Sequence, residues 1–211
     1  VNAAVDLCIE IELRRGGEPG DIRSEDLGLA FPADPWPWHA PEGLGWVWRV
    51  LNAAARRPAA LSLRSPVPKG SGLGVSSCLG VGLVGAALGL EAGEALVDHI
   101  PLLRDLEARE LQTPTGWQDY YPAALGGCLA LHWEAPLPRW ERLRPHPELL
   151  TDLVVFYTGQ PHHSGLTNWQ AYTRFIDGDF HTRAALAEIR AVAKEMVLAI
   201  PRDALSVGEL L

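Results

Sequence analysis

Residues 66–90, PVPKGSGLGVSSCLGVGLVGAALGL, set Gly70, Gly72, Gly74 and the pair Ser76-Ser77 directly against a nearly charge-free apolar run. The loop follows ALSLRS (60–65), which reads as a short strand, while Ser76 to Leu90 is too long and too rich in small residues for one and reads as a helix. Gly80, Gly82, Gly85 and Gly89 would let another backbone approach one side of that helix closely. Each such glycine costs about 1 kcal/mol against alanine, so their repetition implies tight packing. A membrane span is a poor reading of 73–90, which contains Ser76, Ser77 and five glycines and lacks aromatic or basic anchors at its ends. Two readings of the loop remain. It is a cradle for phosphate, built from backbone N–H groups and a helix N-terminus, or a tight turn with Ser76 or Ser77 as N-cap. It is neither a Walker A loop, for want of a lysine before the hydroxyl residue, nor G-x-G-x-x-G, because Val75 takes the third glycine position.

Composition narrows the setting. The chain has 211 residues, 47% of them hydrophobic, and a formal charge of −8 with no Lys/Arg block, which argues against a nucleic-acid or anionic-membrane partner. Cys8, Cys78 and Cys128 are odd in number and widely spaced, so neither a disulfide framework nor a thiolate zinc site is indicated and a reducing cytoplasm is the expectation. Val5 to Leu13 alternates as a half-buried strand, broken by RRGGEPGD, and 42–57 has helical spacing stopped by Pro58. Residues 91–111 read as one or two helices broken near Pro101, followed by a helical turn from Asp119 and a strand at 128–133. EAPLPRWERLRPHPE (134–148) carries four prolines and is read as the domain boundary. DLVVFYTG (152–159) is expected as a buried strand, with helices at about 164–177 and 180–200.

Three ordered stretches carry a resemblance. P-x-x-x-G-L-G-x-S-S (68–77), LEARELQTPTGWQDYYPAALGG (106–127) and DLVVFYTGQPHHSG (152–165) resemble motifs of the GHMP kinases, in the version found in bacterial heptose 7-phosphate kinases and fucokinases. The resemblance implies an α+β, two-domain fold. An ATP-binding domain with a mixed sheet and packed helices would span 1–143, and a partial α+β C-terminal domain 150–211. It also implies an ATP- and Mg²⁺-dependent phosphotransferase acting on the alcohol group, most plausibly anomeric, of a sugar or sugar phosphate. Pro68, Gly70, Ser71, Gly72, Leu73, Gly74, Ser76 and Ser77 match the nucleotide loop. Ser76 and Glu107 match the metal ligands, with Glu110 as fallback, and Asp119 matches the carboxylate facing the acceptor hydroxyl. These residue types suit the chemistry, since a transferring phosphoryl group must meet amides, a metal and a positioned base. Out of context, Asp119 is more often a helix N-cap and Glu107 a solvated surface charge.

Departures matter as well. Trp117 and Tyr120 stand where relatives often carry lysine and glutamine, which suggests an altered sugar pocket, and GQPHHSG lacks an arginine often found after FYTG. The pair His162-His163 is weak evidence for a metal. Trp36, Trp38, Trp46 and Trp48 could stack on adenine or sugar, or simply fill the core. A basic, glycine-turned first strand and a G-A-G-G-G-G motif near the C-terminus are missing, so the chain is expected to be the middle of a longer kinase. A non-catalytic nucleotide- or sugar-phosphate-binding relative is the rival reading, and whether the protein is a homo-oligomer is left open.

Overall fold

The computed structural model describes residues 1–36, 40–68, 70–134, 136–160 and 164–211, with 164–167 described by backbone alone. These fall into two compact units, one formed by Val5–Gly126 and the other by Val1–Ala4 with Gly127–Gly159 and the C-terminal helices. The division falls at Gly126/Gly127 and not in the proline-rich stretch 134–148.

The first unit is an α+β layer on a mixed sheet. Its strands are β2 (Glu10–Arg14), β3 (Asp21–Ser24), β4 (Leu29–Pro32) and β5 (Ala60–Arg64), in the order β2-β5-β3-β4. β5 lies antiparallel to β2 and parallel to β3, which pairs antiparallel with β4. Ile22 stands beside Leu61 in register, and Ile22, Leu61 and Leu63 are buried, so one face of the sheet is the core face. The strand expected at 5–13 is displaced to 10–14, with Val5 and Leu7 exposed. The hairpin β3–β4 was not foreseen, because DIRS carries a single apolar residue and shows no alternation.

Helices α1 (Gly45–Ala53), α2 (Val75–Leu88), α3 (Glu94–Val97), α4 (Ile100–Leu111) and α5 (Tyr120–Leu125) complete this unit. α2 touches α1, α4, α5 and β2. A helix with neighbours on every side has no need of a polar face, which explains its uninterrupted apolar run. Its glycines serve different neighbours rather than one side. A Cβ at Gly80 would sit 2.7 Å from Trp46 Cζ2, one at Gly82 would sit 2.6 Å from Ile11 Cδ1, and one at Gly85 would sit 3.2 Å from the Leu90 carbonyl. Gly89 ends the helix in the left-handed conformation.

The second unit has an antiparallel sheet of β1 (Asn2–Ala3), β6 (Cys128–His132) and β7 (Arg139–Leu143), with β6 central. β7 lies inside the stretch read as the domain boundary. Helices α6 (Pro147–Asp152), α7 (Ser164–Ile176), α8 (Phe180–Ala199) and α9 (Ala204–Gly208) follow. Asp179 and Asp203 cap α8 and α9, accepting from the Thr182 and Ser206 amides at 2.7 and 2.6 Å. Ala199, Ile200 and Val207 form a small core with Leu143, Leu149 and Met196 around it. Residues 153–157, expected as a buried strand, pair with none among the described residues, and Phe156 is 84% exposed.

Candidate active site

Between β5 and α2 the chain turns through Gly70, Gly72 and Gly74, whose φ angles are +79°, +82° and +66°. Glycine takes such angles without steric cost, and here they carry the loop into the helix. Val67 is buried and fixes the loop's root, with its amide and carbonyl both bonded to the Ser65 hydroxyl. Pro68, Gly72 and Ser76 are exposed, while Gly70, Ser71, Leu73 and Gly74 are half-buried, so side chains do not seal the loop. Gly74 itself is the N-cap of α2, with no side-chain cap bond, which sets aside a serine N-cap. The first-turn amides of α2 thus meet no capping side chain, leaving positive potential at the loop.

Asp119 packs directly on this bend. A Cβ built on Gly74 would lie 3.1 Å from Asp119 Cβ and 3.6 Å from its Oδ2. Asp119 occupies the N-cap position of α5, yet its side chain makes no cap bond, so its carboxylate is not engaged in ending the helix. The side chain keeps contact with solvent, while crowding by the surrounding protein and, second, the charge of Glu107 push its carboxyl above the ordinary aspartate range.

Glu107, on α4, is 6% exposed, not the solvated surface charge it could have been. Ser76 Oγ donates to its Oε1 at 2.5 Å, and Thr115 Oγ1 and Tyr120 OH donate to its Oε2 at 2.8 and 2.7 Å. Among the described residues no lysine or arginine pairs with it. Burial first, then the neighbouring Glu107 charge, push the Tyr120 hydroxyl far up, so it remains a proton donor. Ser77 is 3% exposed and its hydroxyl engages that of Tyr120, inside the protein rather than out beside Ser76.

The fold thus brings Ser76, Glu107 and Asp119, the residues singled out by the resemblance, to one place. Glu110 does not join them: it takes Arg49 Nε at 2.5 Å and lies against Gly45 at the start of α1, which removes it as fallback ligand. Trp46 donates its indole N–H to the Ser76 carbonyl at 2.9 Å, while Trp36 and Trp48 line an apolar cleft with Ile22, Leu44 and Leu61. Trp117 lies under the Arg104 guanidinium, 4.1 Å from the ring centroid. Trp38 and the pair His162-His163 lie outside the described residues. Thr115 and the part played by Tyr120 were missed, since nothing in QTPTG marks a threonine that reaches back eight residues to Glu107.

Comparison with known proteins places this geometry. Residues 44–127 match the family described as GHMP kinases N terminal domain. An L-fucokinase/L-fucose-1-P guanylyltransferase from Bacteroides fragilis is 33% identical over 151 residues, 67% of this chain but 16% of that protein. A Campylobacter jejuni protein assigned as a sugar kinase has the same fold with a TM-score of 0.67 at 22% identity, over 99% of this chain and 65% of its own. A D-glycero-D-manno-heptose 1-phosphate kinase from Bacteroides thetaiotaomicron gives 0.63 at 20%, over 96% and 64%, and a mevalonate kinase gives 0.57 at 16%, over 96% and 66%. The chain therefore spans about a sixth of the curated relative and about two thirds of the solved chains. With its glycine loop and both carboxylates inside the matched stretch, the chain belongs to the GHMP kinase family.

Proposed function

We propose that this chain carries the nucleotide loop and the acceptor-side carboxylate of an ATP-dependent kinase that phosphorylates a sugar or sugar-phosphate hydroxyl, the anomeric one. The observation that supports this most is the contact between Asp119 and Gly74 beside the Ser76–Glu107 hydrogen bond. It sets a carboxylate of raised pKa next to a loop suited to phosphate.

In this reading the glycine loop from Pro68 to Ser76 receives the ATP phosphates through backbone amides. Asp119 orients the acceptor hydroxyl and takes its proton as the new O–P bond forms and the bond from the γ-phosphorus to the bridging oxygen breaks, releasing ADP. Ser77 supports the loop from within. Magnesium, which the family implies, fits the donors: one hydroxyl and one carboxylate, both hard oxygen ligands, the latter buried among neutral hydroxyls with no cation beside it among the described residues. Ser76 and Glu107 would hold it, and when bound it would offset negative charge on the phosphates.

The Bacteroides fragilis relative joins an L-fucokinase to a guanylyltransferase named for L-fucose-1-P, which favours an anomeric acceptor. The test is turnover of full-length protein with ATP and Mg²⁺ against L-fucose, heptose 7-phosphate, galactose and mevalonate. One sugar turned over, with phosphate on its anomeric carbon, is expected. Intact ATP binding with no turnover of any compound would overturn the proposal in favour of a binding protein.

A further inference from the structure

We propose that Tyr120 and Thr115 are positioning residues that restrict Glu107 to offering one oxygen, and thereby select Mg²⁺ over Ca²⁺. This rests on the kinase reading above. A carboxylate oxygen has two lone pairs, and Oε2 of Glu107 already accepts from Tyr120 OH at 2.7 Å and Thr115 Oγ1 at 2.8 Å. Tyr120 is 1% exposed, so its hydroxyl has no water to turn to and stays on Oε2. Among the described residues Oε1 meets only the Ser76 hydroxyl, a rotor that can turn a lone pair outward toward a cation.

A metal approaching from the loop therefore finds a carboxylate fixed for one-oxygen ligation. Mg²⁺ accepts this, since it takes six compact ligands and seldom needs both oxygens of one carboxylate. Ca²⁺ takes six to eight ligands and commonly uses a carboxylate through both. For Glu107 to bind that way, one of two hydroxyls would have to leave Oε2, and the one from Tyr120 would exchange a carboxylate acceptor for the weaker, neutral Ser77 hydroxyl beside it.

The experiment is a displacement titration on the full chain. Mn²⁺ is bound in the presence of ADP and followed by electron paramagnetic resonance while Mg²⁺ or Ca²⁺ displaces it. Parent, Tyr120→Phe and Thr115→Val are compared after circular dichroism confirms folding. Each variant is expected to lose about tenfold in Mg²⁺ affinity, the low end for removing an outer partner of a metal ligand. Ca²⁺ affinity should fall less, so the preference narrows. A merely structural role would weaken both ions alike, and an unchanged Mg²⁺/Ca²⁺ ratio in the folded variants overturns the proposal. Should Tyr120→Phe fail to fold, Thr115→Val carries the same test. A parent chain that holds no Mn²⁺ with ADP overturns the kinase reading and this inference together, whereas a parent that holds it with unaltered variants overturns only the inference.

Discussion

Replacing Gly74 by alanine tests whether Asp119 is held against the loop. Two costs are separable in the structure. Gly74 has φ +66°, a left-handed conformation that costs alanine about 1 kcal/mol. Its new Cβ would also lie 3.1 Å from Asp119 Cβ, about half an ångström inside an ordinary carbon–carbon contact, so Asp119 must shift by roughly that amount. A misplacement of about 1 Å near reacting groups costs about a hundredfold in rate, so half of that implies about tenfold. Gly28 supplies the control, since it has φ +62° in the β3–β4 turn and nothing within 4 Å of a built Cβ. Both Gly74→Ala and Gly28→Ala should lower the melting temperature by about 4 °C, the shift expected for 1 kcal/mol in a domain of this size. Only Gly74→Ala should lose turnover, by about tenfold at saturating ATP, in a coupled ADP-release assay. Equal turnover in the two variants would refute the idea that loop and carboxylate are sterically coupled.

Further outcomes follow from the same cluster. Asp119→Asn should reduce turnover by about 10²–10⁴-fold while ATP binding by calorimetry is retained. Because the folded protein raises the Asp119 carboxyl, the stabilisation linked to its protonated form is full at low pH and lost as pH rises through the raised value. Asp119→Asn should therefore melt higher than the parent at pH 8 and match it near pH 4, and an equal gain at both would contradict the sign. Glu107→Gln should abolish Mn²⁺ binding in the presence of ADP, whereas Glu110→Gln should leave it intact and cost at most about 1 kcal/mol of stability, as expected of a half-exposed pair with Arg49; metal loss in Glu110→Gln would reinstate it as a ligand. Trp46→Phe should cost about 1 kcal/mol through the lost bond to the Ser76 carbonyl, and Trp46 should dominate the fluorescence change on adding ATP; an unchanged ATP response in Trp46→Phe would remove it from the loop's support.

What could be read from the chain was whatever a residue enforces on its own neighbours. A glycine run before fourteen helical residues constrains its own backbone, so the loop and α2 were legible from local pattern, whereas Ser76, Glu107 and Asp119 were singled out by the family resemblance. β7 was hidden because Pro136, Pro138, Pro145 and Pro147 surround it, but none falls within Arg139–Leu143, where a proline would have removed a ladder donor. Residues 153–157 mislead in the opposite direction: their composition is that of a strand, but a strand exists only with a partner, and composition does not state whether one is at hand. Tyr120 shows the same limit at the site. As a departure beside Asp119 it suggested an altered sugar pocket, yet it is buried with its hydroxyl on Glu107, thirteen positions earlier in the chain. The reason a tyrosine fits there lies on another helix. A carboxylate buried with no cationic partner among the described residues needs hydrogen-bond donors from whichever elements the fold brings near, and here the loop before α5 and the first turn of α5 supply them.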